Sequence, residues 1–136
     1  MGTRKQSVRL SRFELEIMEI LWDLREASVR EVQDAIHERK RPAYTTVQTI
    51  FARLEEKKAV HRTRKIGNAF LFQPLVTRKS VYRRIIDELL ELFGGSAEPV
   101  VAHLVETGKL TLEDLKALEQ KRSSPAKESD KRGGRR

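Results

Sequence analysis

A mainly α chain, opening on a three-helix unit that carries a β-hairpin, is predicted by three observations. Apolar residues recur at helical spacing behind capping signals at Ser11 and Ser28, and a third amphipathic stretch runs through 44–58. Two short alternating segments follow it without a break and meet at Gly67-Asn68. That order is the grammar of a winged helix-turn-helix, in which one helix can enter the DNA major groove while a basic hairpin lies along the backbone beside it. The expected organisation is a winged-helix unit over 1–76, a helical dimerisation module over 77–122 and a basic tail over 123–136.

The 136 residues suffice for one domain of ordinary size, or a small domain with an added helical module. A net charge of +8 and a pI near 10.0 point to a polyanionic partner, and nucleic acid is the commonest such partner for a small soluble protein. The charge is uneven. Residues 1–76 hold 15 Lys or Arg against 10 Asp or Glu, residues 77–122 hold 8 of each, and residues 123–136 hold 5 against 2. The positive field therefore sits on the first half and the tail. The tail, SSPAKESDKRGGRR, has no apolar residue larger than Ala126 and is expected to be disordered, as a solvated end or a source of non-specific phosphate contacts.

The absence of cysteine excludes a disulfide framework, a thiolate zinc site, an iron–sulfur cluster and a redox thiol, and it fits a reducing cytoplasm. The start, MGTRKQSVRL, carries no apolar run of signal-peptide length. No later stretch approaches the roughly 18 uncharged apolar residues that span a bilayer, so membrane insertion is not expected.

The first helix is marked by Ser11 and Glu14, spaced as a reciprocal capping box, with Leu10 and Leu15 placed as a hydrophobic staple. Phe13, Ile17, Ile20, Leu21 and Leu24 follow one buried stripe, which makes this helix a core element; Trp22 is read as packing rather than as a ligand platform. A second helix is signalled by Ser28 and Glu31 at the same spacing, with Val29, Val32 and Ile36 on its apolar side, and is expected from Val29 to Arg39 before Pro42. Arg39, Lys40 and Arg41 make a basic connection, open to reading as a solvated loop or as phosphate contacts.

The third helix carries the specificity argument. Val47, Ile50, Phe51 and Leu54 form an inward stripe, with Thr45 and Gln48 as a possible capping pair. Opposite lie Thr46, Thr49 and Arg53, with Tyr44, Thr45 and Gln48 toward the start. Gln can pair bidentately with adenine, Arg with guanine, and the Thr methyl can touch the thymine methyl. Short side chains also let a helix approach a duplex closely. The plainer reading is a merely solvated face, but strong helix formers are absent where those residues stand. In the wing, Val60 and the alternation through Arg62 and Arg64 give a strand with a basic face, and Phe70 and Phe72 alternate on the return strand before Pro74. Arg62, Arg64, Lys65 and Asn68 are then placed for phosphate or minor-groove contact, with the two Phe rings packing beneath.

From Thr77 to Phe93, residues Val81, Tyr82, Ile85, Ile86, Leu89, Leu92 and Phe93 make an apolar face too wide for a small wing to cover. After Gly94-Gly95, Ser96 is expected to open a helix carrying Val100, Val101, Leu104 and Val105 and ending near Gly108. Leu110, Thr111, Asp114 and Leu115 then cap a last helix. Short amphipathic helices with so little core of their own are best satisfied by a two-fold mate, the alternative being packing within the chain.

Catalytic constellations are missing. His37, His61 and His103 share no metal-ligand spacing, no Gly-rich phosphate loop occurs, and the adjacent pairs Glu55-Glu56 and Asp87-Glu88 splay by about 100° on a helix. No cofactor, no metal and no enzymatic activity are expected.

The order of these elements, with LSRFELEIMEILW at 10–22, YTTVQTIFARLEEK at 44–57, AFLFQPLVTRKSV at 69–81 and LLELFGGSAEPVVAHLVETGKLTLEDLKAL at 89–118, resembles the penicillinase-repressor family, the BlaI/MecI/CopY group of bacterial transcription repressors. The resemblance covers about residues 8 to 122. It implies a homodimer with an N-terminal winged helix and a C-terminal helical dimerisation region, bound to a dyad-symmetric, inverted-repeat operator so as to block transcription. On the matching positions the recognition helix is Thr45 to Lys57 and the wing Val60 to Pro74.

The chain departs from the family pattern in three places. Many members carry Gly where Lys58 stands, so the helix is expected either to end a residue differently or to hold Lys58 in strain. The cysteine motif of the copper-responsive branch is absent, which excludes copper sensing through thiolates. In the β-lactam branch a membrane-bound sensor protease cuts the dimerisation region at an Asn-Phe bond; the matching place here is His103-Leu104, and such a protease is a partner the resemblance only suggests.

Three functions stay in view: a dimeric sequence-specific repressor, a non-specific or architectural DNA binder, and a protein-interaction module. An assembly surface should expose apolar anchors on the outer face of the third helix, and this one exposes polar and basic residues, which favours the repressor.

Overall fold

The structure, a computed structural model, describes residues 8–122; the tail expected to be disordered lies outside them. Its elements run α1 (Arg12–Leu24), β1 (Ala27–Ser28), α2 (Val29–Ala35), a 3-10 turn (Glu38–Lys40), α3 (Tyr44–Glu56), β2 (Val60–Ile66), β3 (Ala69–Pro74), α4 (Arg78–Leu92), α5 (Glu98–Glu106) and α6 (Leu112–Arg122). This is the expected mainly α chain with a winged helix-turn-helix at its start.

Both N-terminal capping boxes form as the spacing predicts. Ser11 Oγ accepts from Glu14 N at 3.2 Å while Glu14 Oε1 accepts from Ser11 N at 2.8 Å. Ser28 and Glu31 repeat the exchange at 3.1 and 2.8 Å. Each box satisfies two backbone donors that a helix start leaves without an intrahelical partner.

Two boundaries differ from expectation. α2 stops at Ala35, not Arg39, because Ile36 turns to an extended conformation (ψ 138°) and packs its side chain against the core. α3 begins at Tyr44 with Ala43 at its N-cap and no side-chain cap, so the Thr45–Gln48 pairing does not form and both residues lie inside the helix.

The sheet has the order β1-β3-β2, all antiparallel. β1, which the sequence did not announce, is only two residues long and pairs Ala27 with Phe72 and Ser28 with Leu71. The hairpin turns at Gly67-Asn68, between the paired Ile66 and Ala69. Of the two turn residues only Gly67 has positive φ (63°), as a II′ turn requires at its first central position.

Ile17, Met18 and Leu21 of α1, Val32 of α2, Val47, Ile50, Phe51 and Leu54 of α3, Val60, Phe72 and Val76 build one core. Phe51 and Phe72 meet with ring centroids 4.7 Å apart. Burying each of the larger side chains contributes about 1.5–3 kcal/mol. The stripe on α1 is rotated relative to expectation: Met18 is fully buried, whereas Leu24, assigned to the core, is exposed.

α3 closes on a left-handed residue. Lys58 has φ 63°, Lys58 N donates to Glu55 O at 3.0 Å, and Ala59 N reaches back to Leu54 O at 2.8 Å. The two bonds make a Schellman motif, and its usual apolar contact is supplied by Leu54 and Ala59, both fully buried.

The chain divides into two compact units, one closing at Leu89 and the next beginning at Leu90. The first turns of α4 dock on α1 and so belong to the first unit. Trp22 Nε1 donates to Val76 O at 2.9 Å, and Arg78 bonds Glu19 and Asp23 at 3.0 Å each. The Tyr82 hydroxyl donates to Glu19, and Val81 is buried in the core.

In the second unit α5 starts at Glu98, not Ser96. Ala97 takes the cap position, and Ser96 Oγ accepts from Glu98 N at 3.3 Å. α5 ends at Glu106, close to the expected Gly108, which takes a left-handed φ of 77° just past it, and Lys109 N bonds Leu104 O at 2.9 Å. Thr111 and Asp114 cap α6 reciprocally at 3.0 and 3.1 Å. Neither α5 nor α6 buries a residue, and no described helix is long and apolar enough to cross a membrane.

Candidate nucleic-acid interface

The outer face of α3 follows from its inner one. With Val47, Ile50, Phe51 and Leu54 committed to the core, the 3.6-residue period turns Thr45, Thr46, Gln48, Thr49 and Arg53 outward, and all five are exposed. Thr49 Oγ1 donates to Thr45 O at 3.0 Å, which fixes that hydroxyl along the helix and leaves its methyl free to make an apolar contact. No salt bridge engages Arg53 among the described residues. A shallow groove beside this face is lined by Tyr44, Gln48 and Ala52 from α3, Asn68 and Phe70 from the wing, and Arg30.

Arg30 lines this groove, a placement that the sequence reading did not anticipate. It stands on the first turn of α2 with its guanidinium 4.9 Å from the Tyr44 ring centroid. Only the observed turn between α2 and α3 brings the two together. Arg41, in the basic connection left open to phosphate contact, folds back on the end of α2, donating to Asp34 O at 2.8 Å and to Ile36 O at 2.9 and 3.1 Å. A cation spent on the last carbonyls of a helix satisfies acceptors that would otherwise lack partners, so it stabilises the short α2.

The wing does not carry one basic face. The pairing of β2 with β3 shifts by a residue between Arg62 and Arg64: Arg62 faces Phe72, Arg64 faces Leu71, and Thr63 is left over. This bulge interrupts the period of two. Arg62 and Lys65 consequently share a face with Phe72 and Phe70, and Arg64 shares the opposite face with Leu71.

Each arginine then meets a carboxylate. Arg62 Nε and Nη2 donate to the two oxygens of Glu55 at 2.8 and 3.3 Å. Arg64 donates to Glu26 at 3.1 Å, and Glu26 also accepts from Thr63 Oγ1 at 2.5 Å. The Thr63 hydroxyl first, and then Arg64, hold the Glu26 carboxyl below its ordinary range. Phe72 is buried, but Phe70, expected beneath the wing, is exposed under Arg62 and Lys65, whose charged groups lie 4.5 and 5.2 Å from its centroid. Lys65 and Asn68 are exposed near the turn.

Of the residues expected at a dimer surface, Val81 is accounted for within the chain. It is 1% exposed, because α4 turns it into the winged-helix core. Ile85, Ile86 and Leu89 of α4 are exposed, as are Leu92, Phe93, Val101 and Leu115. Leu104 is half-buried. Among the described residues no group of three or more His, Cys, Asp or Glu side chains gathers.

Residues 10–123 match the family described as penicillinase repressor. The chain belongs to that family. A penicillinase-repressor relative, the transcriptional regulator BlaI of Mycobacterium tuberculosis, is 33% identical over 101 residues, 72% of each chain. Among solved structures, the DNA-binding domain of the repressor BlaI matches with 27% identity and a TM-score of 0.47, covering 52% of this chain and 85% of that one. A doubly substituted mutant of Lactococcus lactis ZitR in its apo form matches at 13% identity and a TM-score of 0.39, over 86% of this chain and 82% of that one. As a member of the penicillinase-repressor family this chain keeps the winged helix that its sequence announces and holds Lys58 in the left-handed region.

Proposed function

We propose that this penicillinase-repressor family member is a homodimeric, sequence-specific repressor that reads an inverted-repeat operator in double-stranded DNA through α3 and steadies itself on the backbone through the wing. The observation that carries the reading is the outer face of α3, where Thr45, Thr46, Gln48, Thr49 and Arg53 are all exposed and none is a large apolar anchor. Such side chains suit base edges, and their modest size suits close approach to the major groove. The exposed apolar residues of α4, led by Leu92 at 80%, and those of the second unit support a second copy as the covering partner.

The test is selection from a pool of genomic fragments that includes the region upstream of the protein's own coding sequence, at about 0.15 M salt, where exposed charges are screened over roughly 8 Å. Enrichment of a short inverted repeat is the expected result. Binding that is uniform across the pool and falls steeply with salt would reassign the protein to architectural DNA binding.

A further inference from the structure

Arg62 is held from three sides. The bulge at Thr63 turns it away from Arg64. The two oxygens of Glu55, on α3, grip its guanidinium in a bidentate fork. The rings of Phe70 and Phe72 lie beneath it, with centroids at 4.5 and 5.7 Å. An isolated exposed ion pair contributes little, but a planar fork that is also stacked on aromatic faces is the geometry in which arginine becomes a fixed part. Glu55 stands about one turn beyond Ala52 and two beyond Gln48 on the same helix, so the pair ties the proposed reading helix directly to the hairpin. On the opposite face of β2, Glu26 binds Thr63, Arg64 and, at 3.5 Å, Gln73, which anchors the strand from its other side.

We propose that Arg62 is a positioning residue and not a phosphate ligand: with Glu55 and the Phe70 and Phe72 rings it forms a strut that sets the wing against α3 and so determines how well the protein separates its operator from other DNA. The proposal rests on the reading of α3 as the recognition helix.

The opposing view makes Arg62 a phosphate ligand and Glu55 a counterion displaced on binding. The sign of one substitution separates the two. If Glu55 merely competes with phosphate, Glu55→Gln removes an acid beside a polyanion and binding to every sequence strengthens. If Glu55 holds the strut, the same change loosens the wing, and operator affinity falls while random DNA is bound as before.

The experiment compares the full-length protein with Glu55→Gln, Arg62→Gln, Arg62→Lys and the double variant Glu55→Gln/Arg62→Gln. Each is titrated by fluorescence anisotropy with the duplex enriched in the selection above and with a scrambled duplex, over a series of salt concentrations. Thermal unfolding of each variant serves as a check that the fold is retained. Each single change is expected to weaken operator binding about three- to tenfold, with the double variant no worse than either, as coupled partners behave. Random-DNA affinity and the salt slope stay at wild-type values. Lysine does not rescue, since a point charge serves a phosphate but cannot make the fork.

Stronger binding by Glu55→Gln overturns the strut, as does a fall of about one unit in the salt slope for Arg62→Gln that Arg62→Lys restores. Wild-type protein that binds both duplexes alike overturns the recognition reading together with this inference. Wild-type discrimination that survives all four variants overturns the strut alone.

Discussion

Lys57 fastens the end of α3 to the start of α1: its Nζ lies 2.6 Å from Glu14 Oε1 and 2.9 Å from Arg9 O. The Glu14 side chain is only 3% exposed, and the same Oε1 serves the Ser11 capping box. Burial by itself pushes the Glu14 carboxyl up, but the Lys57 ammonium, the Ser11 backbone and the Ser11 hydroxyl together outweigh it, and the group sits below its ordinary 4.5. A carboxyl whose folded value is depressed binds fewer protons folded than unfolded as the pH falls. Its stabilisation is therefore fully present above the ordinary carboxylate range and is lost as the pH drops through the folded value. Glu14→Gln is expected to cost about 1–3 kcal/mol at neutral pH. It should also flatten the acid limb of the stability curve, measured by urea unfolding from neutral to acid pH. An acid limb as steep as wild type would assign that loss of stability to other carboxylates.

Lys58 offers a gain. A non-glycine residue in the left-handed region carries a steric cost between Cβ and the backbone that glycine does not, so Lys58→Gly should stabilise the fold by about 1 kcal/mol. Lys58→Val should destabilise it, since a branched Cβ fits that region worse. Thermal unfolding of the two variants beside wild type reads both signs, and equal midpoints would mean that Lys58 is held there without strain.

The apolar residues of α4 divide by their exposure, and charge should divide them by consequence. Leu92→Glu is expected to shift the protein from dimer to monomer by sedimentation velocity with its winged helix intact, because Leu92 is 80% exposed in the single chain. Val81→Glu should unfold the protein, because Val81 lies in the core of its own subunit. A Leu92→Glu protein of unchanged mass would move the interface elsewhere.

On the outer face of α3, Gln48→Ala and Arg53→Ala should each cost about 1–3 kcal/mol at the operator and relax preference at one base position, with little effect on random DNA. Anisotropy titrations on operator and scrambled duplexes measure the difference, and equal losses on both would remove the readout role.

What the sequence disclosed was set by short-range chemistry. The pairs Ser11–Glu14, Ser28–Glu31 and Thr111–Asp114 are legible because a capping box needs only two residues three apart, and the inward stripe of α3 because it repeats over three turns. The stop at Ala35 was hidden, since it depends on Ile36 finding the core and on Arg41 taking the freed carbonyls. β1 was hidden as well, because two residues hold no alternation to detect. The wing was misread for a related reason. Alternation placed Arg62 and Arg64 together, and only the register against Phe72 and Leu71 reveals that a bulge separates them. Their partners Glu55 and Glu26 lie 7 and 38 residues away, distances at which local patterns carry no information.

Ser28 belongs to two structures at once: it ends β1, paired with Leu71 of the hairpin, and its hydroxyl caps α2. The hairpin is therefore not a detachable accessory. A wing borrowed from another winged-helix protein would inherit this chain's strand 27–28 as its neighbour, and any misfit there would be felt at the first turn of α2, where Arg30 and the floor of the groove begin. A chimaera that exchanges the hairpin together with residues 26–28 respects the joint, and one cut at the hairpin ends breaks it.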